Sequence, residues 1–509
     1  MDSRMIDLDV TQLNSVHIRV ACERGIAKEL CDYFTFRVPG YQYMPSYKNK
    51  MWDGVIRLYN IHTQEIYAGL LDHVHKFAKD RKYTIASPDK KEKSISEEQV
   101  KSFVEDRLNV SSGGAKLTLH NHQAQAIRHV MEHDRCLLVS PTASGKSLII
   151  YSLIRYYMES MENKSTKKIL VIVPTVSLVE QMVSDFADYS SNNGWIASDN
   201  CHKILGGAEK TTNKPVIVST WQSIFRQDEK YFEQFEVVVG DECHLFKSKS
   251  MTAIMSKLKS CPFRIGTTGT LDGLVTHKLV LEGLFGRAYE VTKTKELMDK
   301  KILSSLKIDC LLLDYPDEIR KLIKGAKYQE EIKWIVGLEE RNKFIVDLCK
   351  TLKGNTLVLF QFVEGHGKIL NTLMESCIPS DRKIFFVHGD TEALERERIR
   401  GIVEKESNAI IVASYGVFST GISVKKLHNI IFASPSKSRI RVLQSIGRQL
   451  RVAKDKVIAR LYDIGDDLSW KSWMNHTYRH FKERLKIYDS EGFEYKIINI
   501  KLGANNEPK

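Results

Sequence analysis

The stretch Val139–Leu148 reads VSPTASGKSL and predicts a phosphate-binding loop between a strand and a helix. It matches the pattern G-x-x-x-x-G-K-[ST] except at Ser140, which stands where the pattern has its first glycine. Such a loop binds anions through successive backbone N–H groups and a helix N-terminus, so every residue type but proline supplies the necessary amide. Glycine is needed only where φ is positive or the backbone must come close. The serine therefore leaves the prediction standing.

Eight residues of this loop are candidates for binding a nucleoside triphosphate and its metal. Lys146 would reach the β and γ phosphates, and Ser147 would place its hydroxyl on Mg²⁺. The full set is Ser140, Pro141, Thr142, Ala143, Ser144, Gly145, Lys146 and Ser147. For the motif taken alone, an ordinary strand-to-helix turn is the alternative interpretation.

A second candidate site follows the apolar run in VVVGDECH. The run predicts a buried strand that delivers Asp241 to its carboxyl end, where open α/β sheets place their ligand sites. Asp241 can bind the same magnesium ion, and Glu242 can orient and deprotonate an attacking water. An acidic pair after a strand is also common in solvated loops. The two motifs together are the stronger indication, since their spacing leaves room for the strands of one sheet.

The chain is long and basic. Its 509 residues exceed what one hydrophobic core usually supports, so we expect about three domains. The formal net charge of +13 favours a polyanionic partner, with nucleic acid first among them. A solvated cationic face is the alternative explanation of the charge.

Hydrophobic patterning predicts a small α+β domain followed by two tandem α/β domains. Residues 115–290 alternate apolar runs such as CLLVS, KILVIVP and PVIVST with helical patterns, which is typical of a parallel sheet covered by helices. Residues 335–467 repeat this arrangement, and a flexible joint is expected at the sequence SSGG. The predicted segments are an N-terminal domain over 1–110, a linker over 111–116, the first α/β domain over 117–295, a strand and helical connection over 296–334, the second α/β domain over 335–467, and a helix, strand and tail over 468–509.

A third motif, QSIGRQLR, lies in the second α/β set. Arg448 and Arg451 are three residues apart and would share one helix face, which points two guanidinium groups the same way. If that face meets Lys146 across a cleft, either arginine could act on the transferring phosphoryl group. A basic helix on the surface is the alternative.

In the order of its motifs, the chain resembles a superfamily 2 helicase of the DExH type. The matching stretches are LHNHQAQAI with Gln123 as the adenine-reading glutamine, SPTASGKS as motif I, PTVSLVEQ as Ia, STWQSI as Ib, DECH as II, TTGT as III, LVLFQF as IV, VHGD, SYGVFSTGIS as V, and QSIGRQLR as VI. The resemblance covers about residues 117–465. It implies two RecA-like motor domains, ATP and Mg²⁺ as cofactors, and a nucleic-acid substrate.

The resemblance also implies roles for individual residues. Gln444 joins Arg448 and Arg451 at the catalytic site, and Gly421 joins the ATP-binding residues. Thr268 and Thr270 would couple the two motor domains. The residues implied to face the nucleic-acid backbone are Thr175, Thr220, Trp221, Phe362 and Thr420.

Several positions depart from the family pattern. Gly269 replaces the alanine usual in motif III, and Leu271 replaces the proline that follows it. Motif V has Ser414 and Tyr415 in place of Thr-Asp, and His120 stands where an arginine often precedes the glutamine. These differences bear on the coupling and on the adenine contact.

The N-terminal domain contains a stretch that mixes aromatic and basic residues, GYQYMPSYKNKMWDGVIRLYN. Its aromatic side chains could stack on bases while Lys48, Lys50 and Arg57 neutralise phosphates, so we expect this domain to bind DNA. The alternative is that the aromatic residues form the core of a small sheet.

The sequence also bears on where the protein works. Its nine cysteines are scattered without a C-x-x-C pair, which is typical of reduced and mostly buried thiols. The longest apolar run, ILVIVPTVSLV, is too short to cross a membrane. We therefore expect a cytoplasmic protein, in the host cytoplasm if it is of phage origin.

Three functions remain open from the residues. The first is a motor, and the resemblance to branch-migration helicases of T-even bacteriophages implies DNA forks, Holliday junctions and D-loops as substrates, in recombination, repair and replication restart. The second is the motor of a restriction-type nuclease, whose pattern PD…(D/E)xK is matched by Pro316, Asp317, Glu331 and Lys333. That pattern needs its Glu and Lys on a strand, whereas this sequence predicts a helix there. The third is a non-enzymatic nucleic-acid-binding or annealing protein that uses its basic surface alone. An RNA substrate is also open, because phosphate contacts carry no base information.

Overall fold

The computed structural model describes residues 6–88, 93–161, 166–246, 248–420, 424, 426–436, 438–450 and 458–502, with the backbone alone at 393, 419, 420, 440 and 448. The described chain divides into two compact units. The first comprises residues 1–140 and 145–291, and the second comprises 141–144 and 292–509.

The first unit begins with a small five-stranded sheet of order β5-β6-β2-β1-β7. Its strands alternate buried and exposed residues, so that Leu8, Val10, Ile18 and Val20 point into one core. The elements are β1 Leu8–Gln12, β2 His17–Cys22, α1 Arg24–Tyr33, β3 Thr35–Arg37, α2 Pro45–Lys48, β4 Val55–Arg57, β5 Tyr59–Asn60, β6 Glu65–Tyr67, α3 Leu71–Arg81 and β7 Ile85–Ala86.

A parallel seven-stranded sheet of order β12-β13-β11-β14-β15-β10-β16 forms the rest of this unit. Its central strands are buried on both faces, as their continuous apolar runs predict. The elements are α4 Glu97–Lys101, β8 Ser111–Ser112, β9 Ala115–Lys116, α5 Asn121–Glu132, β10 Arg135–Val139, α6 Lys146–Ser160, β11 Lys168–Val173, α7 Val176–Tyr189, α8 Ala197–Asn200, β12 Cys201–Ile204, β13 Val216–Thr220, α9 Trp221–Ile224, α10 Glu229–Phe232, β14 Phe235–Gly240, α11 Lys249–Lys257, β15 Phe263–Thr268, α12 Val275–Phe285 and β16 Ala288–Glu290.

The predicted joint at 111–116 is a hairpin rather than a flexible linker. Strands β8 and β9 pair antiparallel, and Ser111 is fully buried. The Asp188 carboxylate at the end of α7 accepts hydrogen bonds from Ser112 Oγ at 2.7 Å and from Gly113 N at 2.8 Å. Because the carboxylate holds both groups, the glycines serve the turn at positive φ and give no hinge.

The helical segment before the hairpin also belongs to the α/β domain. Val100, Val104 and Leu108 are fully buried in the same hydrophobic cluster as α5 and α6. The structure therefore places the end of the N-terminal domain near residue 88, about twenty residues before the predicted limit at 110. Sequence pattern alone could not assign this helix, because its apolar stripe does not say which core it joins.

The N-terminal domain and the first parallel sheet share one hydrophobic core. Phe34 and Phe77 of the small domain lie in the same cluster as Leu137 and Phe285 of the sheet domain. Gly69 lies directly against backbone carbonyls of α12, where a Cβ would collide. The two domains are thus packed as a single body.

The second unit holds another parallel seven-stranded sheet, of order β19-β20-β18-β21-β22-β17-β23. Its elements are α13 Thr294–Asp299, β17 Ser305–Asp314, α14 Asp317–Ile323, α15 Tyr328–Gly337, α16 Glu339–Thr351, β18 Thr356–Phe360, α17 Lys368–Cys377, β19 Ile384–Val387, α18 Ala393–Lys405, β20 Ile410–Ser414, α19 Tyr415–Thr420, β21 Asn429–Phe432, α20 Arg439–Gln449, β22 Ile458–Asp467, α21 His476–Glu491 and β23 Tyr495–Lys501.

The second α/β domain is larger than the predicted range 335–467. Strand β17, from the segment assigned to a connection, pairs with β22 over ten residues and with β23 over seven. Helix α21 packs on this sheet through Phe481 and Tyr488, which are buried. The segment 468–509 therefore contributes a covering helix and an edge strand to the domain.

Two properties of the whole chain follow. Within the described ranges, no helix is both long and apolar enough to cross a membrane. Most of the cysteines are buried, in agreement with the prediction, namely Cys136, Cys201, Cys243, Cys261, Cys310 and Cys349.

Candidate active site

The predicted phosphate loop lies between β10 and α6 at the carboxyl edge of the first parallel sheet. Ser140 is buried and stays out of the positive-φ region, and its N–H donates to the Thr268 carbonyl at 2.8 Å. Gly145 has φ +87°, so glycine stands where the backbone requires it. The absence of the first glycine is explained, because position 140, directly after β10, does not take a positive φ.

The loop contains a second residue at positive φ that the sequence pattern does not reveal. Ala143 has φ +67°, a conformation that costs an L-residue roughly 1–2 kcal/mol. Next to it Ser144 is buried, and its Oγ donates to the Pro141 carbonyl at 2.7 Å. The tight turn is thus held by a side-chain hydrogen bond in place of a glycine.

Gln123 lies beside this loop, as its predicted role requires. It is buried near the start of α5, and its Oε1 accepts from the His120 N–H at 3.0 Å. A Cβ at position 145 would collide with Gln123 Nε2, so the amide lies against the Gly145 backbone. Position 145 therefore needs glycine because of its φ, and a side chain there would also displace the Gln123 amide.

The acidic pair lies at the end of β14, next to the loop. Lys146 Nζ is 3.9 Å from Glu242 Oε1, and it donates to the Ser140 carbonyl at 3.3 Å. Asp241 is buried, and its Oδ1 accepts from Thr267 Oγ1 at 2.7 Å and from the Glu242 N–H at 2.9 Å. The structure brings the predicted lysine and both predicted carboxylates into one cluster.

Backbone strain is concentrated at the same place. Glu242 has φ +49°, which is uncommon for a residue with a Cβ. Strain of this kind costs of order 1–3 kcal/mol and persists where surrounding contacts fix it. Here the hydrogen bond from its own N–H to Asp241 Oδ1 is one such contact.

Burial raises the pKa of Asp241, and the charge of Glu242 raises it further, while Lys146 opposes the shift. The site therefore holds more negative charge than its surroundings neutralise. A divalent cation would relieve this excess, and the oxygen donors of Asp241 and Ser147 are of the type that Mg²⁺ prefers. In this structure Ser147 Oγ lies 2.8 Å from Tyr189 Oη. These residues fit a magnesium ion.

The site continues into motif III through a residue that sequence reasoning did not single out. His244 Nδ1 lies 3.3 Å from Glu242 Oε2 and 3.1 Å from Thr268 Oγ1. Thr268 Oγ1 also lies 3.1 Å from the Thr270 carbonyl. His244 thus links the carboxylate to the segment predicted to couple the domains. The sequence feature that could have indicated this role is the histidine that ends DECH.

Three family profiles match consecutive parts of the chain. They are the N-terminal domain of the DNA helicase UvsW over residues 7–87, the res subunit of type III restriction enzymes over 116–273, and the helicase conserved C-terminal domain over 340–453. The first of these ends where the structure ends the N-terminal domain. The gap before the second is the helical segment that packs on the α/β core.

Full-length matches are consistent with these profiles. The chain is 36% identical over 517 residues to the ATP-dependent DNA helicase uvsW of Enterobacteria phage T4, covering 98% of the chain and 100% of that protein. The chain belongs to the UvsW helicase family. The crystal structure of T4 UvsW aligns with 97% of the chain and 100% of its own length, with 33% identity and a TM-score of 0.51. A DNA 3'-5' translocase of Sulfurisphaera tokodaii is 25% identical over 376 residues, which is 67% of the chain and 80% of that protein.

Membership in the UvsW family confirms the predicted superfamily and the predicted fold, two RecA-like parallel sheets with an α+β domain before them. The family is one of ATP-dependent helicases, so the chain is an enzyme of that class.

The residues of the first motor domain that are predicted to contact nucleic acid lie at or after the ends of two neighbouring strands, β11 and β13. Thr220 ends β13 and is paired in register with Val173, the last residue of β11, two positions before Thr175. Thr175 begins α7 and caps it by accepting from the Leu178 N–H at 3.4 Å. Trp221 instead packs against the core shared with the N-terminal domain. These placements leave contact with nucleic acid as a prediction for all three residues.

The predicted residues of the second motor domain are only partly described. Phe362 follows β18 and precedes a short helical turn, and it is partly exposed. Thr420 is the last residue of α19, and Gly421 lies outside the described residues. Their contacts with nucleic acid and ATP stay predictions.

Motif VI lies on α20, where Gln444 is buried. Arg448 is on the same helix, described by its backbone alone. The helix ends at Gln449, and Arg451 lies outside the described residues. The predicted helical pairing of the two arginines, and their approach to Lys146, therefore remain predictions.

The basic residues of the N-terminal domain differ from one another. Lys48 and Lys50 are exposed, whereas Arg57 forms an ion pair with Asp53 at 2.6 Å. This pair raises the pKa of Arg57 and lowers that of Asp53. Arg57 therefore balances a carboxylate at the surface, and its contact with phosphate stays a prediction. The sequence placed Asp53 and Arg57 four residues apart but did not predict the pair.

The residues of the nuclease pattern serve the fold. Glu331 lies on helix α15 and is fully buried. Its carboxylate accepts from the N–H groups of His476 at 2.9 Å and Thr477 at 2.7 Å, and from Asn475 Nδ2 at 3.0 Å. It therefore satisfies the first N–H groups of α21. The predicted helix is confirmed, and a carboxylate used in this way is not available to a nuclease metal.

Proposed function

We propose that this protein hydrolyses ATP with Mg²⁺ to unwind or branch-migrate branched DNA, namely forks, Holliday junctions and D-loops, in recombination, repair and replication restart. The proposal is carried by the cluster of Lys146, Asp241 and Glu242 at one sheet edge, in a chain that matches a DNA helicase over its whole length. Forks and junctions come from the family resemblance, not from base contacts.

In the proposed reaction Lys146, the first residue of α6, neutralises charge on the β and γ phosphates. Asp241 and Ser147 would hold Mg²⁺, which supplies electrostatic stabilisation of the transferring phosphoryl group when bound. Glu242 orients a water molecule for attack and accepts its proton. Its position is set by its own strained backbone and by His244.

The proposed catalytic site contacts motif III, which is predicted to couple the two motor domains. Thr268 is hydrogen-bonded to His244, and its carbonyl accepts from the Ser140 N–H. A change in the protonation or position of Glu242 on hydrolysis would therefore be transmitted through His244 to Thr268 and Thr270. Arg448 and Arg451 are proposed to supply positive charge to the same phosphoryl group.

A strand-displacement panel tests the substrate class. Forked DNA, four-way junctions and RNA duplexes are incubated with the protein, ATP and Mg²⁺, with Lys146→Ala as the inactive control. We expect displacement of forks and junctions and DNA-stimulated ATP turnover. Displacement of RNA alone, or turnover indifferent to DNA, would contradict the proposal.

The DNA contact of the N-terminal domain is tested by salt dependence. Each phosphate neutralised by a lysine lowers the slope of log K against log salt by about 0.9 for duplex DNA. We expect Lys48→Gln with Lys50→Gln to reduce the slope by about 2, and Arg57→Gln to reduce it little, because Arg57 is paired with Asp53. An unchanged slope in the double variant would remove Lys48 and Lys50 from the interface.

A further inference from the structure

The N-terminal domain carries a compact lobe, residues 38–54, between β3 and β4. These two strands pair antiparallel and form its stalk, and the Val38 N–H donates to the Gly54 carbonyl at 2.9 Å where the lobe begins. We call this segment the aromatic lobe.

Internal contacts give the aromatic lobe a fixed shape. The rings of Tyr41 and Tyr47 meet edge to face with centroids 4.6 Å apart. Trp52 Nε1 donates to the Val55 carbonyl at 2.7 Å, which fixes the indole. Gly54 has φ +83°, and a Cβ there would lie 2.5 Å from the Tyr41 ring. These contacts within the chain hold the lobe in its conformation without a ligand.

A pocket of about 630 Å³ opens on the aromatic lobe. The pocket is shallow and open to solvent rather than enclosed. Its walls combine flat apolar surface, an amide and a carboxylate that can hydrogen-bond, and two ammonium groups. The lining residues are Gln42, Tyr47, Lys48, Lys50, Met51, Trp52 and Asp53.

The charges around the pocket favour an anionic ligand. Asp53 is already paired with Arg57, so its charge is compensated. In the described part of the chain, neither Lys48 nor Lys50 has an ion-pair partner. Two positive charges thus remain beside an apolar wall, a combination suited to one nucleotide, whose base is flat and whose phosphate is negative.

One large apolar side chain of the pocket is exposed to solvent. Met51, which lines the pocket, is 75% exposed. It lies beside Lys48 and Lys50, and contiguous apolar surface with a polar rim is a feature of binding sites.

We propose that this pocket binds one unpaired nucleotide of a DNA strand at a branch point. The base stacks on the apolar wall formed by Trp52 and Met51, Gln42 hydrogen-bonds its edge, and the lysines hold the flanking phosphates. The inference rests on the proposed DNA substrate and adds a site that senses whether a base is unpaired.

The position of the aromatic lobe gives such a site a use. Its flanking residues Phe34, Leu58 and Tyr59 lie in the hydrophobic core that the N-terminal domain shares with the first motor domain. A nucleotide held by the lobe would therefore move together with Lys146 and Glu242, which belong to the same compact unit.

Binding of the full-length protein to forked DNA with one unpaired 2-aminopurine at the branch tests the inference. The comparison substrate is the same fork with an abasic site at that position. We expect the base-bearing fork to bind about 5- to 100-fold more tightly, since stacking one base on an aromatic residue has an effect of this order. We also expect its fluorescence to be quenched.

Two variants at exposed positions locate the effect. Gln42→Ala and Met51→Ala line the pocket, and we expect each to lose most of the preference for the base. Tyr43→Ala is the matched control, since Tyr43 is as exposed as Met51 and on the same lobe but does not line the pocket. Equal binding of the two forks by the wild type, or equal losses in Tyr43→Ala and Met51→Ala, would overturn the inference.

The failure of this site and the failure of the proposed function can be told apart. If the forks bind equally but still stimulate ATP turnover, the pocket alone is refuted. If no DNA binds and turnover is indifferent to DNA, the proposed function fails with it.

Discussion

The two parallel sheets of this chain share one topology and differ in what their edges carry. Numbered from the first strand of each, both have the order 3-4-2-5-6-1-7. After the first strand of the first sheet come the phosphate loop and Lys146. After the first strand of the second sheet come Tyr315, Pro316 and helix α14, and Tyr315 Oη donates to buried Asp466. The fold is common to both, and the chemistry belongs to the loops.

The acidic residues at these edges also differ in their partners. Asp466 is fully buried and accepts from Arg341 Nε at 2.7 Å and Nη2 at 3.0 Å. Asp241 lies beside Glu242, a like charge, and its pKa is raised by burial and by that neighbour. One carboxylate is neutralised to hold the fold together, and the other is left with excess charge. Asp241 at the edge of the first sheet therefore stabilises the fold less than Asp466 does at the edge of the second.

Removing the lysine at the first edge has the largest expected effect. Lys146→Ala should lower ATP turnover by about 10²- to 10³-fold, because a preorganised positive group at the transferring phosphoryl is lost. Lys321→Ala on α14 is the matched control, since α14 follows the first strand of the second sheet. Turnover is measured at saturating ATP with DNA. Equal losses in both variants would mean that the two edges do not differ as described.

The two aspartates should respond in opposite ways to loss of charge. Asp466→Asn leaves the Arg341 guanidinium buried without a charged partner. We therefore expect the free energy of unfolding to fall by about 3–5 kcal/mol. Asp241→Asn relieves repulsion with Glu242, so it should leave the unfolding midpoint unchanged or higher while ATP turnover falls. Thermal unfolding and turnover are measured on both. Destabilisation by Asp241→Asn equal to that by Asp466→Asn would remove the distinction.

One partly buried and one fully buried histidine give a smaller, pH-dependent difference between the domains. In the first domain, burial lowers the pKa of His129 to about 4. In the second, burial lowers the pKa of His366 well below its usual range, and Arg341 adds to the shift. The unfolded chain takes up these protons near pH 6.5, so stability is full above that pH and declines as the pH falls. The groups that face the His366 ring are Ser434 Oγ at 2.8 Å and Asn342 Oδ1 at 3.2 Å.

We expect unfolding midpoints measured between pH 7 and 5 to fall with pH, and His129→Phe to flatten part of that fall. His202→Phe is the matched control, because His202 lies at the surface, where its Nε2 is 2.8 Å from the Glu209 carbonyl. A midpoint that does not change over this range would contradict the direction of both shifts.

Much of this arrangement could be predicted from the sequence. The apolar runs gave both parallel sheets, and the order of the motifs indicated the family, because buried parallel strands and ligand loops have strong local patterns. Strand β17 was expected as a connection, since nothing local says which sheet a strand joins. The hairpin at 111–116 was missed because its order comes from Asp188, far along the chain.

The site was predictable in its composition but not in its details. Lys146, Asp241 and Glu242 were identified from spacing. The positive φ of Ala143 and Glu242 and the contact of His244 with Thr268 depend on tertiary packing, which spacing does not encode. The sequence likewise predicted a phosphate contact for Arg57 without revealing its ion pair with Asp53.

The role of Glu242 as the residue that activates water is the central chemical claim. It is tested most directly by comparing ATP binding with ATP hydrolysis in Glu242→Gln, which keeps the size and the hydrogen-bonding capacity of the side chain. We expect the Kd for ATP with Mg²⁺ to stay within a few-fold of the wild type and DNA-stimulated turnover to fall by about 10²- to 10⁴-fold. Turnover close to that of the wild type would contradict the account.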